Sequence, residues 1–245
     1  MRRPFTSGCC IGPCMESRFE TRLETVSVPL EARLHVRPAV AGEVPGRVAL
    51  LLHGYEQDGE GLLKRCADAV PADVLAVAPD GLFPLPRKVE RRYRVGFSWY
   101  FYDPYEDAYF VDPAPAVAFL RGVLERINPG RLPVTLVGFS QGGYLAPFLA
   151  QELPWVDQII GMGCQFLEGE IDFRALAARG CRMDAIHGAR DEVVDPYVAM
   201  KSHQALMVAG VPGEFTLLEG TGHKIDEAMR ARLAELLLRE PQENS

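Results

Sequence analysis

Ser140 lies in Gly138-Phe139-Ser140-Gln141-Gly142-Gly143, directly after the apolar run Leu132-Pro133-Val134-Thr135-Leu136-Val137. An apolar run leading into a glycine-flanked serine and then a helical pattern predicts a strand, a sharp strained turn with an exposed hydroxyl, and a helix. Glycines two before and two after the serine suit a corner where strand and helix backbones approach too closely for a Cβ. The chemistry open to such a serine is attack on an acyl carbon. Its hydroxyl is a poor nucleophile near neutral pH, so it needs a base to take the proton and a third group to orient that base. The five-residue pattern is short enough to arise by chance, and its partners elsewhere must carry the reading.

In a sheet protein that presents a serine this way, the acid and then the base follow in chain order, each after a later strand. Five histidines are available. His35 and His53 precede the serine, His187 ends a predicted strand, and His203 falls within a predicted helix. His223 stands in Glu219-Gly220-Thr221-Gly222-His223-Lys224, between the last predicted strand and the final helix, where the base belongs. The acid is expected after the penultimate strand, where Asp191 follows Ile186-His187-Gly188-Ala189-Arg190. Glu192 and Asp195 compete, but both read better as groups at the start of the helix opening at Pro196. The oxyanion of a tetrahedral intermediate needs main-chain donors. Gln141 N–H at the start of the helix supplies one, and Tyr55 N–H, in His53-Gly54-Tyr55 after an early strand, supplies the other.

These residues need a frame. Continuous apolar runs of the kind buried on both faces of a parallel sheet predict strands at 48–53, 74–78, 134–137, 158–162, 182–186 and 214–218. An opening antiparallel pair is expected at 25–28 and 32–36. Apolar spacing of three and four predicts helices at 61–70, 114–127, 142–153, 173–178, 197–209 and 225–238. The alternation predicts an α/β fold, with a mostly parallel central sheet covered by helices on both faces. A length of 245 residues and 48% hydrophobic content suit one domain, taken as 21–245, after a disordered extension at 1–20. Residues 82–112 break the rhythm as a long connection, and nine aromatic residues fall between Tyr93 and Phe110.

A net charge of −7 argues against a nucleic-acid partner. No apolar run is long enough to span a bilayer, and Arg2 and Arg3 are not followed by a signal-peptide core. Met15 is a second candidate start. Cys9, Cys10 and Cys14 have no histidine nearby and no C-x-x-C pairing, so they read as part of the extension rather than as a metal site. With Cys66, Cys164 and Cys181 scattered, the expectation is a reducing cytoplasm. The sequence is compatible with a homo-oligomer without specifying one.

Assembled, the chain resembles the phospholipase/carboxylesterase group of α/β-hydrolases, which includes the acyl-protein thioesterases. The matching pieces are Leu51-Leu52-His53-Gly54 with Asp58, Ala78-Pro79-Asp80-Gly81, Ser98-Trp99, the Ser140 turn, His187-Gly188 through Asp191 to Val193-Val194, and Gly222-His223 with Ile225. The resemblance implies Ser140, Asp191 and His223 as a triad, no cofactor, little or no cap domain, and hydrolysis of carboxylic ester or thioester bonds in a small-molecule or acyl substrate. It also implies that Trp99 walls the acyl pocket. The chain departs from the family pattern at Asp195, Tyr144 and Gly163-Cys164-Gln165-Phe166, and the last two flank the pocket. A lactone or polyester-fragment hydrolase would use the same triad, and a catalytically silent binding domain is the reading from another class. The basic run Arg87, Lys88, Arg91, Arg92 and Arg94 reads as a solvated face, with a grip on an anionic substrate as its functional alternative.

Overall fold

A computed structural model describes residues 29–40, 44–167 and 169–239. The expected strand at 25–28, the extension at 1–20 and its three cysteines lie outside the described residues. In chain order the strands are β1 (Leu34–Arg37), β2 (Arg47–Leu52), β3 (Val74–Pro79), β4 (Phe83–Val89), β5 (Arg92–Ser98), β6 (Phe101–Asp103), β7 (Ala108–Val111), β8 (Val134–Phe139), β9 (Val156–Met162), β10 (Arg182–Gly188) and β11 (Phe215–Leu218). The α-helices are α1 (Gly59–Cys66), α2 (Ala114–Ile127), α3 (Gln141–Glu152), α4 (Phe173–Ala178), α5 (Pro196–Val208) and α6 (Glu227–Leu237).

Seven strands form the central sheet in the order β1-β3-β2-β8-β9-β10-β11, with β1 antiparallel and the rest parallel. β2 and β8 are buried at every position, which a parallel strand covered on both faces requires. Side chains alternate across the sheet. Val48, Leu50 and Leu52 face the layer of α2, α3 and α4, whereas Ala49 and Leu51 face that of α1 and α6. This is the α/β fold that the periodicity predicts.

Asp side chains fix where four helices begin. Asp58, Asp172, Asp195 and Asp226 accept from Gly61, Ala175, Tyr197 and Met229 N–H at the starts of α1, α4, α5 and α6. Asp195 is thus a helix cap, as its position before Pro196 suggests.

The segment 82–112 differs from its sequence reading. It folds as two antiparallel hairpins, β4 with β5 and β6 with β7, standing outside the central sheet. The first hairpin was illegible because β4 carries Pro84 and Pro86, residues found only on edge strands, and is largely exposed, so no hydrophobic alternation marks it. The basic residues 87–94 lie on this hairpin and are exposed, with Arg87 paired to Glu56 at 2.6 Å.

Because β2 leads to β3 on one side while its other neighbour is β8, the chain reverses direction at this pair. Open parallel sheets bind ligands in the crevice beyond the carboxyl ends of strands at such a point. The Gly54 loop follows β2, Ser140 follows β8, Asp191 follows β10 and His223 follows β11.

Candidate active site

Ser140 has φ 50° and ψ −120°, a backbone region that non-glycine residues avoid. Such a conformation costs about 1–3 kcal/mol and persists only where the surroundings over-determine it. Here Ser140 N–H donates to Met162 O at 2.9 Å, and Ser140 O accepts from Gly143 and Tyr144 N–H at 2.8 and 3.2 Å. The turn also needs bare backbone. A Cβ on Gly138 would overlap the Gly142 backbone, and one on Gly142 would overlap the Leu52 carbonyl at the end of β2.

The structure brings Ser140, His223 and Asp191 together. Ser140 Oγ lies 3.0 Å from His223 Nε2, and His223 Nδ1 lies 2.8 Å from Asp191 Oδ2. With Nδ1–H donating to the carboxylate, Nε2 presents a lone pair to the serine hydroxyl. Asp191 Oδ1 is occupied separately by Val193 and Val194 N–H, both at 2.9 Å. Burial works to raise the Asp191 pKa, but the hydrogen bonds from Val194 N–H, His223 and Val193 N–H outweigh it and hold the carboxyl below its ordinary value. The loops carrying Asp191 and His223 are stitched together by Ala189 N–H to Leu218 O and Arg190 N–H to Thr221 O, each 2.9 Å.

His187 adds to this arrangement. Its buried Nε2 donates to Val194 O at 3.0 Å and lies 3.3 Å from Asp191 Oδ2, so it braces the acid's loop from beneath. Its signals in the chain were its four-residue spacing from Asp191 and its place in the matching piece His187-Gly188.

Around the expected oxyanion position, Gly54 packs against Ser140, since a Cβ on Gly54 would sit 3.3 Å from the serine Cβ. Tyr55 N–H follows directly in that loop. Gln141 opens α3, where the first N–H groups have no helical carbonyl to meet. The Gly54 turn is held by His53, whose Nε2 accepts from Gly81 N–H at 2.9 Å while Nδ1–H donates to Gly54 O at 2.7 Å. Burial lowers the pKa of His53 and keeps it neutral in this two-sided bond.

Trp99 departs from its expected place. It does not wall the cleft beside Ser140: it is fully buried, its Nε1–H donating to His53 O at 2.8 Å and its ring 4.8 Å from the imidazole. A buried indole needs an acceptor for its N–H, and the carbonyl at the base of the Gly54 loop supplies it. Trp99 therefore supports that loop from below, while Tyr100 lines the cleft.

The Gln141 side chain also has a function that the motif did not disclose. Its Oε1 accepts from Trp99 N–H at 3.1 Å and its Nε2 donates to Tyr100 O at 2.9 Å, bolting residues 99–100 to the serine turn. Gln141→Leu strands the buried Trp99 N–H, while Tyr100 O keeps the Ser98 hydroxyl at 2.6 Å. It is expected to destabilise the protein by about 1–3 kcal/mol in urea denaturation. An unchanged midpoint would show that the bolt carries no load.

The buried imidazoles make stability pH-dependent. Burial lowers the pKa of both His53 and His203 from the ordinary 6.5. Below 6.5 the unfolded chain therefore takes up protons that the folded chain refuses, and stability falls as pH falls. Asp191 acts in the same direction at more acidic pH, because its stabilising contribution is lost as pH drops through its lowered folded pKa. Urea midpoints are expected to decrease between about pH 8 and about pH 5.5, and a flat profile would contradict this. The Cys164 thiol beside the turn is a poor rival nucleophile, since burial pushes its pKa up to about 12.

Residues 127–238, which hold Ser140, Asp191 and His223, match the Phospholipase/Carboxylesterase family model. Among solved structures, the chain is similar to esterase PE8, with 24% identity and a TM-score of 0.62 over 85% of this chain and 98% of that one. It is similar to a carboxylesterase from Mesorhizobium loti, with 23% identity and a TM-score of 0.64 over 80% and 90%. It is also similar to acyl-protein thioesterase 2 of Zea mays, with 18% identity and a TM-score of 0.62 over 84% and 97%. No curated protein matches the chain. Identities this low establish the fold alone. The protein is an α/β-hydrolase in fold, and the stretch carrying its serine, aspartate and histidine matches the phospholipase/carboxylesterase family.

Proposed function

We propose that the protein is a serine hydrolase that cleaves carboxylic ester or thioester bonds through an acyl-enzyme on Ser140. The observation that carries this reading is the continuous relay from Ser140 Oγ to His223 Nε2 at 3.0 Å and from His223 Nδ1 to Asp191 Oδ2 at 2.8 Å. In acylation His223 Nε2 takes the hydroxyl proton as Oγ attacks the carbonyl carbon. The Asp191 carboxylate stabilises the imidazolium that forms. Tyr55 and Gln141 N–H receive the oxyanion, and the collapsing intermediate expels the alcohol or thiol, which takes the proton from Nε2. In deacylation His223 removes a proton from water, hydroxide adds to the acyl carbon, and Ser140 Oγ departs reprotonated.

Keeping all three residues in register, with the serine in a strained turn, favours this over a silent binding domain, which has no use for the strain. A fluorophosphonate probe tests it. The intact protein should be labelled at Ser140, and absence of labelling would sink the enzyme reading. A panel of p-nitrophenyl esters alongside an acyl thioester and a lactone then separates the substrate classes.

A further inference from the structure

The cleft that opens from Ser140 and Gln141 has a volume of about 460 Å³, and its walls come from three separate stretches of chain. Tyr100, Tyr102 and Tyr109 belong to the second hairpin and the residue before it, Tyr144 projects from α3, and Glu170 comes from the connection between β9 and α4. Such a wall differs from what a fatty acyl chain requires. Leu167 is its one aliphatic side chain among the described lining residues, and no lysine or arginine is among them. No residue of the exposed basic hairpin at 87–94 is among the described lining residues.

The lining is aromatic and negatively charged. The Tyr109 ring lies 5.8 Å from Tyr100 and 5.2 Å from Tyr102, so the three form a contiguous phenol surface. Two carboxylates stand at its edge. Tyr102 O–H donates to Asp107, and Tyr109 O–H donates to Glu170 at 3.2 Å. Each carboxylate is thus held in place by a ring of the wall while keeping other lone pairs free. Burial first, and then the nearby Glu170 charge, raise the Tyr109 pKa well above the ordinary phenol value, so the ring stays neutral. Ring faces with carboxylates beside them attract an ammonium ion through the ring quadrupole and the net charge together. A carboxylate on the substrate would be repelled, and a long alkyl chain would have to cover charged oxygens.

Resting on the ester-hydrolase reading above, we propose that this cleft selects esters bearing a cationic ammonium group near the scissile bond over neutral or anionic esters of the same shape. The site is the one that contains Ser140, and the recognition elements are Tyr100, Tyr102, Tyr109 and Tyr144 with Asp107 and Glu170.

Isosteric pairs test it. Butyrylcholine is compared with 3,3-dimethylbutyl butyrate, which replaces the ammonium nitrogen by carbon on the alcohol side. The p-nitrophenyl esters of 4-(trimethylammonio)butanoate and 5,5-dimethylhexanoate do the same on the acyl side. In at least one pair the cationic ester is expected to have a kcat/KM about tenfold higher. That ratio is expected to shrink by at least about threefold in Asp107→Asn/Glu170→Gln, and to shrink also when salt is raised from about 0.05 to about 0.5 M. A ratio is insensitive to the amount of folded enzyme, so partial misfolding of the variant does not mimic the result. A ratio below about threefold in both pairs overturns the proposal, as does a ratio unmoved by the double substitution or a faster anionic p-nitrophenyl hemisuccinate. If the wild type hydrolyses neither member of either pair and escapes the fluorophosphonate probe, the ester-hydrolase reading itself has failed. Cleavage of both members at similar rates leaves that reading standing and removes only the cation preference.

Discussion

Ser140→Ala is expected to abolish fluorophosphonate labelling and to lower kcat on any ester the wild type cleaves by about 10³–10⁶-fold. The loss is large because Oγ is the atom that would bond to the acyl carbon. Cys164 is held as a neutral thiol by burial, and its Sγ packs against Gly143 and Gly161. Any residual rate would come from donors and binding that survive the substitution, chiefly Tyr55 and Gln141 N–H. The variant should still fold, because Ser140 is tied into the turn through its backbone N–H and C=O rather than its hydroxyl. Activity within tenfold of wild type, in a sample free of contaminating esterase, would place the nucleophile elsewhere.

Asp191→Asn is expected to lower kcat by about 10³–10⁴-fold with little change in KM. The geometry predicts why a nearly isosteric change is so costly. Oδ1 of Asp191 accepts from both Val193 and Val194 N–H, so an asparagine oxygen must occupy that position. The asparagine NH₂ is then forced to face His223 Nδ1, 2.8 Å away in the native pair. Nδ1 must become the acceptor, which moves the ring proton to Nε2, the atom that should take the proton from Ser140. The base is present but in the wrong tautomer. A steady-state measurement of kcat and KM with matched circular dichroism checks this, and a loss below tenfold would mean that Asp191 does not orient His223.

Much of the frame was legible because its signals are local. The buried runs of β2 and β8 are apolar at nearly every position, and the spans of α2 and α4 follow directly from three- and four-residue spacing. Boundaries moved where polar residues set them: α1 begins at Gly59, ahead of its first apolar residue, because Asp58 caps it. The hairpin at 83–98 escaped because its largely exposed strands are rich in prolines and arginines, and the one at 101–111 because its strands are only three and four residues long. Trp99 was misplaced for a related reason, since an aromatic residue's type shows that it will be buried but not against what.

By itself the sequence determined the strand–turn–helix at Ser140, the strands after which Asp191 and His223 stand, and hence the order in which these three residues meet one sheet edge. Those features follow from apolar periodicity and bare glycine backbone, which act within a few residues. Only the tertiary structure decided that Gln141 bolts residues 99–100 to the serine turn, that His187 lies under Asp191, and that four tyrosines meet Asp107 and Glu170 beside the hydroxyl. These groups are brought together from positions up to 70 residues apart, from Tyr100 to Glu170. The direction of each side chain there is set by packing and hydrogen bonds between elements, which no local pattern in the chain encodes.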